Sequence, residues 1–178
     1  MKTIIFVPIK DYFGSRRKLY IKFLFPLITA FSALIITLLF NIGDASQVLQ
    51  TFNGFVDTQI SIVAILISFS VAIITILVSA DNKNIDNLKS TVSNEKDYKA
   101  VNNKQLTLFQ VLLSNIAYNT IVEVVYLILL IGVGLLYTIL PIQILKYILA
   151  ICVFFIVHIF LVLLESVAQM YLTFWSKK

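Results

Sequence analysis

The chain has one cysteine, Cys152, and one histidine, His158. An intrachain disulfide is therefore impossible, and neither a cysteine-based nor a His/Cys metal site can be assembled. A Cys–His nucleophile pair across the loops is missing too, as is any glycine-rich phosphate loop. Acids, histidines and serines do not cluster at helix ends in the way that intramembrane proteolysis or lipid transfer would require. We expect no enzymatic activity and no cofactor. Charge is scarce as well: 13% of the 178 residues are charged, against about 25% in a soluble domain. Three prolines and five glycines interrupt the chain rarely, which predicts long, unbroken helices.

What fills the chain instead is apolar. Hydrophobic residues make up 60% of it, and the mean hydropathy is +0.95. A helix needs about 20 apolar residues to cross a bilayer, so the length accommodates four spans with short connections. The pattern predicts an all-α integral membrane protein: an interfacial segment over 1–19, spans over 20–40 and 55–79 joined by an outer link at 41–54, a helical loop over 80–115, spans over 116–140 and 142–165, and a tail over 166–178. Within the first segment the apolar patch of residues 4–9 is too short to span and contains Pro8, so Tyr12 and Phe13 are expected near the lipid headgroups. We expect this region to stay uncleaved, because the basic part is long for a signal peptide and the apolar run after it exceeds a typical signal core. A secondary transporter generally uses more spans and broken helices than this.

Charge orients the chain. Thirteen of its 14 Lys and Arg residues fall in 1–22, 83–104 and 177–178, and Lys146 is the exception. By the positive-inside rule both termini and the central loop lie in the cytoplasm. This placement, rather than nucleic-acid binding, accounts for the net charge of +5. In the loop, Ile85, Leu88 and Val92 recur at helical spacing and predict an amphipathic helix. Residues 106–114 read as a helical lead-in continuous with the third span, and Pro141 as a tight turn before the fourth.

Two groups of polar residues are candidates for function. In the second span Asp57, Ser61, Ala64, Ser68, Thr75 and Ser79 share one helical face. Such a face either packs small residues against another helix or lines a wet path, with Asp57 at the outer mouth favouring cations. Four helices alone enclose no useful pore, so the second reading requires a homo-oligomer. The other group lies in spans three and four. If these form a hairpin turning at Pro141, equal rise on both arms puts Glu123 near the depth of His158, Tyr118 and Asn119 near Glu165, and Asn115 near Gln169. Ionisable groups in a bilayer cost about 2.5–3.5 kcal/mol each on insertion scales, and pairing offsets that. Glu123, His158, Asn119 and Glu165 are thus either a proton- or ion-sensitive gate or a hydrogen-bonded clamp between helices. Glu165 and Gln169 are close enough to the interface to snorkel.

The run Ser61–Lys89, SIVAILISFSVAIITILVSADNKNIDNLK, resembles the second span and first cytoplasmic turn of small four-span proteins in bacterial anti-phage operons, such as the membrane subunits of the Kiwa and Hailong defence systems. The resemblance covers about a sixth of the chain, in hydropathy, serine placement and polar exit. It implies a small oligomeric subunit of the bacterial inner membrane paired with a soluble cytoplasmic partner, acting as an effector that permeabilises the membrane or as a sensor that recruits the partner. The expected function is therefore an oligomeric ion channel or pore-forming effector controlled from the cytoplasm, the alternative being a non-conducting sensor or anchor. The expected partners are lipid, further copies of the chain, and a soluble protein or a nucleotide or oligonucleotide ligand at 80–115.

Overall fold

A computed structural model describes residues 6–39, 45–81, 83–95, 97–100 and 104–175. Among these residues there are six helices: α1 (Val7–Ser15), α2 (Leu19–Leu39), α3 (Ala45–Ser79), α4 (Lys83–Ser90), α5 (Leu108–Leu136) and α6 (Ile142–Trp175). Four of them, α2, α3, α5 and α6, are long and apolar enough to cross a membrane, and the chain is all-helical with the makings of a multi-pass membrane protein.

Local chemistry sets several helix ends. Pro8 opens α1, where its missing N–H costs nothing. The helix stops at Arg16, whose backbone is extended (φ −107°, ψ 144°). A reciprocal capping box starts α5: Gln110 N–H donates to Thr107 Oγ1 at 3.3 Å, and Thr107 N–H donates to Gln110 Oε1 at 3.0 Å. After Pro141, Ile144 and Leu145 N–H groups bond back to its carbonyl at 2.9 and 3.3 Å. Pro26 lies inside α2, and its own carbonyl accepts from Thr29 Oγ1 at 2.9 Å.

The helices overrun the expected boundaries. α3 begins at Ala45, ten residues before the expected start of the second span, so residues 45–54 are helical; residues 41–44 lie outside the described residues. α6 continues to Trp175, taking in most of the expected tail. At about 1.5 Å per residue, the 35 residues of α3 and 34 of α6 give lengths near 50 Å, against about 30 Å of hydrocarbon. The extension of α3 has a packing cause, since Leu49 and Phe52 join a core cluster. The loop helix α4 is present and buries Ile85 and Leu88. Val92 does not extend it: α4 ends at Ser90, and Val92, 58% exposed, bridges to Thr107 instead.

The chain folds as two compact units, the first holding residues 1–21, 69–121 and 160–178, the second residues 22–68 and 122–159. In the first, Leu77, Ile85, Leu88, Leu112 and Ile116 form the apolar centre. In the second, Phe52, Val56 and Val63 of α3 pack with Tyr126 and Leu130 of α5 and with Leu145, Cys152 and Ile159 of α6. There a Cβ added at Gly134 would lie 3.5 Å from Val56 Cγ1, whereas one at Gly132 would meet nothing within 4 Å; close packing is a property of Gly134 alone. α2 buries only Pro26 and Ala30.

Candidate functional site

The predicted face of α3 belongs to the buried core of neither unit. Asp57, Ser61, Ala64, Ser68, Thr75 and Ser79 are all exposed. Each hydroxyl is satisfied within its own helix: Ser61 donates to the Asp57 carbonyl at 3.0 Å, Ser68 to Ala64 at 3.0 Å, Thr75 to Val71 at 2.9 Å and Ser79 to Thr75 at 2.6 Å. This i−4 back-bonding removes the cost of meeting an apolar neighbour while leaving oxygen lone pairs free to meet water. Asn53 Nδ2 donates to Asp57 Oδ2 at 3.3 Å, which holds that carboxylate against the helix.

The polar residues of α5 and α6 are divided between the units. Asn119 and Glu165 belong to the first, Glu123 and His158 to the second. In the second unit Glu123 and His158 are 0% and 2% exposed. The His158 ring stacks on Phe23 (centroids 4.7 Å apart, 19° between planes) and on Phe154 (6.0 Å, 4°). Tyr126 Oη donates to the Cys152 carbonyl at 3.2 Å, with Gln59 Oε1 3.5 Å away. Around Tyr126 and His158 the contacts are a neutral hydrogen bond and ring faces.

The first unit builds a denser cluster around α1. The extended residue at its end pairs with the loop: Lys99 N–H donates to the Ser15 carbonyl at 2.7 Å and Arg17 N–H to Asp97 at 3.1 Å, an antiparallel bridge centred on Arg16 and Tyr98. That pairing fixes three aromatic rings and one cation. Tyr12 stacks on Tyr118 of α5 with centroids 3.7 Å apart and 11° between planes. The Arg16 guanidinium carbon sits 3.8 Å from the Tyr12 centroid and 5.7 Å from that of Tyr98, within cation–π range. Arg16 Nη2 lies 3.8 Å from Glu165 Oε1 of α6; the arginine side chain is 3% exposed and the carboxylate 24%. Tyr98 Oη donates to Glu165 Oε1 at 3.3 Å, and Gln169 Nε2 donates to Tyr98 Oη at 2.5 Å and to Glu165 Oε1 at 3.1 Å. Asn115 Nδ2 closes the set on Gln169 Oε1 at 3.3 Å.

Tyr12 is fully buried and stands on the Tyr118 ring. Glu165 and Gln169 do not merely snorkel, since they bind a buried arginine and a buried tyrosine. Burial pushes the Tyr12 phenol up to about 12, against the lowering effect of Arg16. Burial, helped by the Glu165 carboxylate, raises Tyr98 as well. Both hydroxyls therefore stay protonated at neutral pH, and that of Tyr98 donates to Glu165. Tyr12, Arg16 and Tyr98 carried no sequence signal of a site, because 67 residues separate Tyr98 from Glu165 and a single antiparallel bridge is what joins α1 to the loop. Comparison with protein-family models, curated proteins and solved structures found no match to this chain.

Proposed function

We propose that the chain is the subunit of a homo-oligomeric membrane channel, with the hydroxyl face of α3 lining the path and control exerted from the cytoplasmic side. The observation that carries this reading is the contrast in exposure: every member of the α3 face is exposed in the protomer, while Asn115, Asn119, Glu123 and His158 are buried. Of the neighbours left to that face, a second copy or water between copies suits small hydroxyl residues better than lipid does. The distribution of Lys and Arg favours an orientation with both termini and α4 inside. The first unit joins α1, the loop and the ends of α5 and α6, and so offers a signal a mechanical route to the spans.

The competing reading is a non-conducting sensor or anchor. It is favoured by the exposed Lys83, Asp86 and Lys89 of α4, a charged surface suited to a soluble partner, with the α3 face serving only to pack copies together. One experiment separates the two. Purified protein of defined oligomeric state is reconstituted into a planar bilayer, and Ser68→Leu and Thr75→Leu are compared with wild type. The channel reading expects discrete current steps in wild type and their loss in the variants with the oligomer intact. Variants that assemble and conduct normally would exclude α3 as the lining.

A further inference from the structure

One face of α1 is committed to the tyrosine–arginine cluster, and the other borders open volume. A cleft of about 640 Å³ lies between α1, the chain near Leu106 and the first turns of α5. Ligand sites are roughly 300–1,000 Å³, so the volume suits a bound molecule. Leu106, Leu113 and Ala117 supply apolar wall, and Lys10 and Asp11 supply one cation and one anion. The wall residues of α5 fall in the opening turns of a helix long and apolar enough to cross a membrane. An occupant must therefore be amphiphilic, with an apolar body along α5 and a headgroup at Lys10 and Asp11.

We infer that this cleft binds a phospholipid with a primary-amine headgroup, its phosphate on the Lys10 ammonium, its amine on the Asp11 carboxylate and its acyl portion against Leu113 and Ala117. Charge complementarity selects this class. An anionic headgroup without an amine would satisfy Lys10 but set its phosphate beside Asp11, which repels it. A quaternary choline headgroup carries the positive charge but has no N–H to donate to the carboxylate. The cleft is preformed, because α1 is held from its other side by the Tyr12–Tyr118 stack and the Lys99–Ser15 backbone bond. The inference does not depend on conduction, and its readout contains no current.

Gly14 makes the test clean. It lines the cleft, and a Cβ built on it meets nothing within 4 Å, so the side chain of Gly14→Phe starts from open space at a helical position. Delipidated full-length protein is offered equal amounts of phosphatidylethanolamine, phosphatidylcholine and phosphatidylglycerol of identical acyl chains, and retained lipid is counted by native mass spectrometry. Wild type is expected to keep one phosphatidylethanolamine in preference. Asp11→Asn should lower that preference over phosphatidylglycerol about tenfold, the scale of one charge-assisted hydrogen bond. Lys10→Ala should weaken all three lipids, and Gly14→Phe should abolish the retained copy. Ala100→Phe, which fills the same cleft from the exposed loop, replaces Gly14→Phe if the latter does not elute as wild type. Equal retention of the three lipids by wild type, or an unchanged adduct on the filled variant, would overturn the assignment and mark the bound lipid as nonspecific.

Discussion

The hydroxyl face of α3 and the tyrosine–arginine cluster of the first unit are both rows of polar side chains on apolar helices, and they satisfy their polarity in opposite ways. On the α3 face each of the four hydroxyls bonds to a carbonyl four residues back. Nothing outside the helix is needed, so the face tolerates lipid, water or another copy. In the cluster no member is self-sufficient. Arg16 depends on Glu165 and on the Tyr12 ring, Tyr98 on Glu165 and Gln169, and Gln169 on Asn115. Such a network orders the elements that supply it, and losing one member leaves the others buried without partners. The first arrangement leaves a surface available for function, and the second holds elements remote in sequence together.

The largest expected effect tests the dependence of the cluster on its cation. Breaking a buried ion pair costs 3–5 kcal/mol when the remaining charge is trapped; the part-exposed Glu165 carboxylate can recover some hydration, so Arg16→Ala should destabilise by about 2–3 kcal/mol. Chemical denaturation in detergent micelles measures it. Glu165→Gln should cost at least as much, since it leaves the buried Arg16 cation without its carboxylate even though an amide oxygen still accepts from Tyr98 and Gln169. Should Arg16→Ala cost no more than a substitution on the α3 face, the contrast between the two regions fails.

Next in size is a pH effect. Below pH 10 Tyr12 is protonated whether folded or unfolded and stability is independent of it. Between the unfolded value near 10 and the folded value of about 12, the unfolded chain releases the proton first, so stability falls as pH rises. The slope of roughly 1.4 kcal/mol per pH unit levels off near the folded value, so the loss is about 2 kcal/mol by pH 12. Near-UV melting curves between pH 9 and 12 should show a steeper fall in wild type than in Tyr12→Phe, and parallel curves would refute the burial of that phenol. Tyr98→Phe should likewise lessen the fall.

Much of the architecture was legible because hydropathy and helical period are local. The four long apolar helices, the continuity of 106–114 with the third span, and the α3 face follow from residues within a few turns of one another. Hairpin geometry about Pro141 also placed Asn115 opposite Gln169, which the structure joins. The capping box of Thr107 and Gln110 was equally readable in principle, since its spacing is fixed. The start of α3 was not, because residues 45–54 are polar enough to read as a link and become helix through Leu49 and Phe52. The cluster lay beyond reach for another reason. Tyr12, Arg16, Tyr98 and Glu165 come from three distant stretches, and their meeting depends on one bridge between extended residues that has no periodic signature.

A smaller effect belongs to the second unit, at a hydrogen bond between neutral groups. Tyr126→Phe removes the hydroxyl bonded to the Cys152 carbonyl and keeps the ring that stacks on Phe155 at 5.3 Å. That carbonyl can still serve the helical ladder of α6, so the expected cost is about 1 kcal/mol, the net worth of one neutral hydrogen bond. A cost as large as that of Arg16→Ala would mean that the two units handle buried polarity alike.

The smallest expected effect on stability comes from the face that matters most to the proposed function. Ser68→Leu removes a hydroxyl bonded only to Ala64 of its own helix and adds apolar surface at an exposed position. The bond lost is one that back-bonding makes nearly neutral to the helix, and the added side chain suits a micelle or acyl chains. The protomer's unfolding free energy should therefore move by less than about 0.5 kcal/mol, the usual range for surface changes. If Ser68→Leu leaves denaturation unchanged but alters the distribution of oligomers in mild detergent, the face is a contact between copies. If both are unchanged and conductance is lost, it lines the path. A change of 2 kcal/mol in the protomer would instead mean that Ser68 is buried against another element, and the exposed face on which the channel reading rests would not exist.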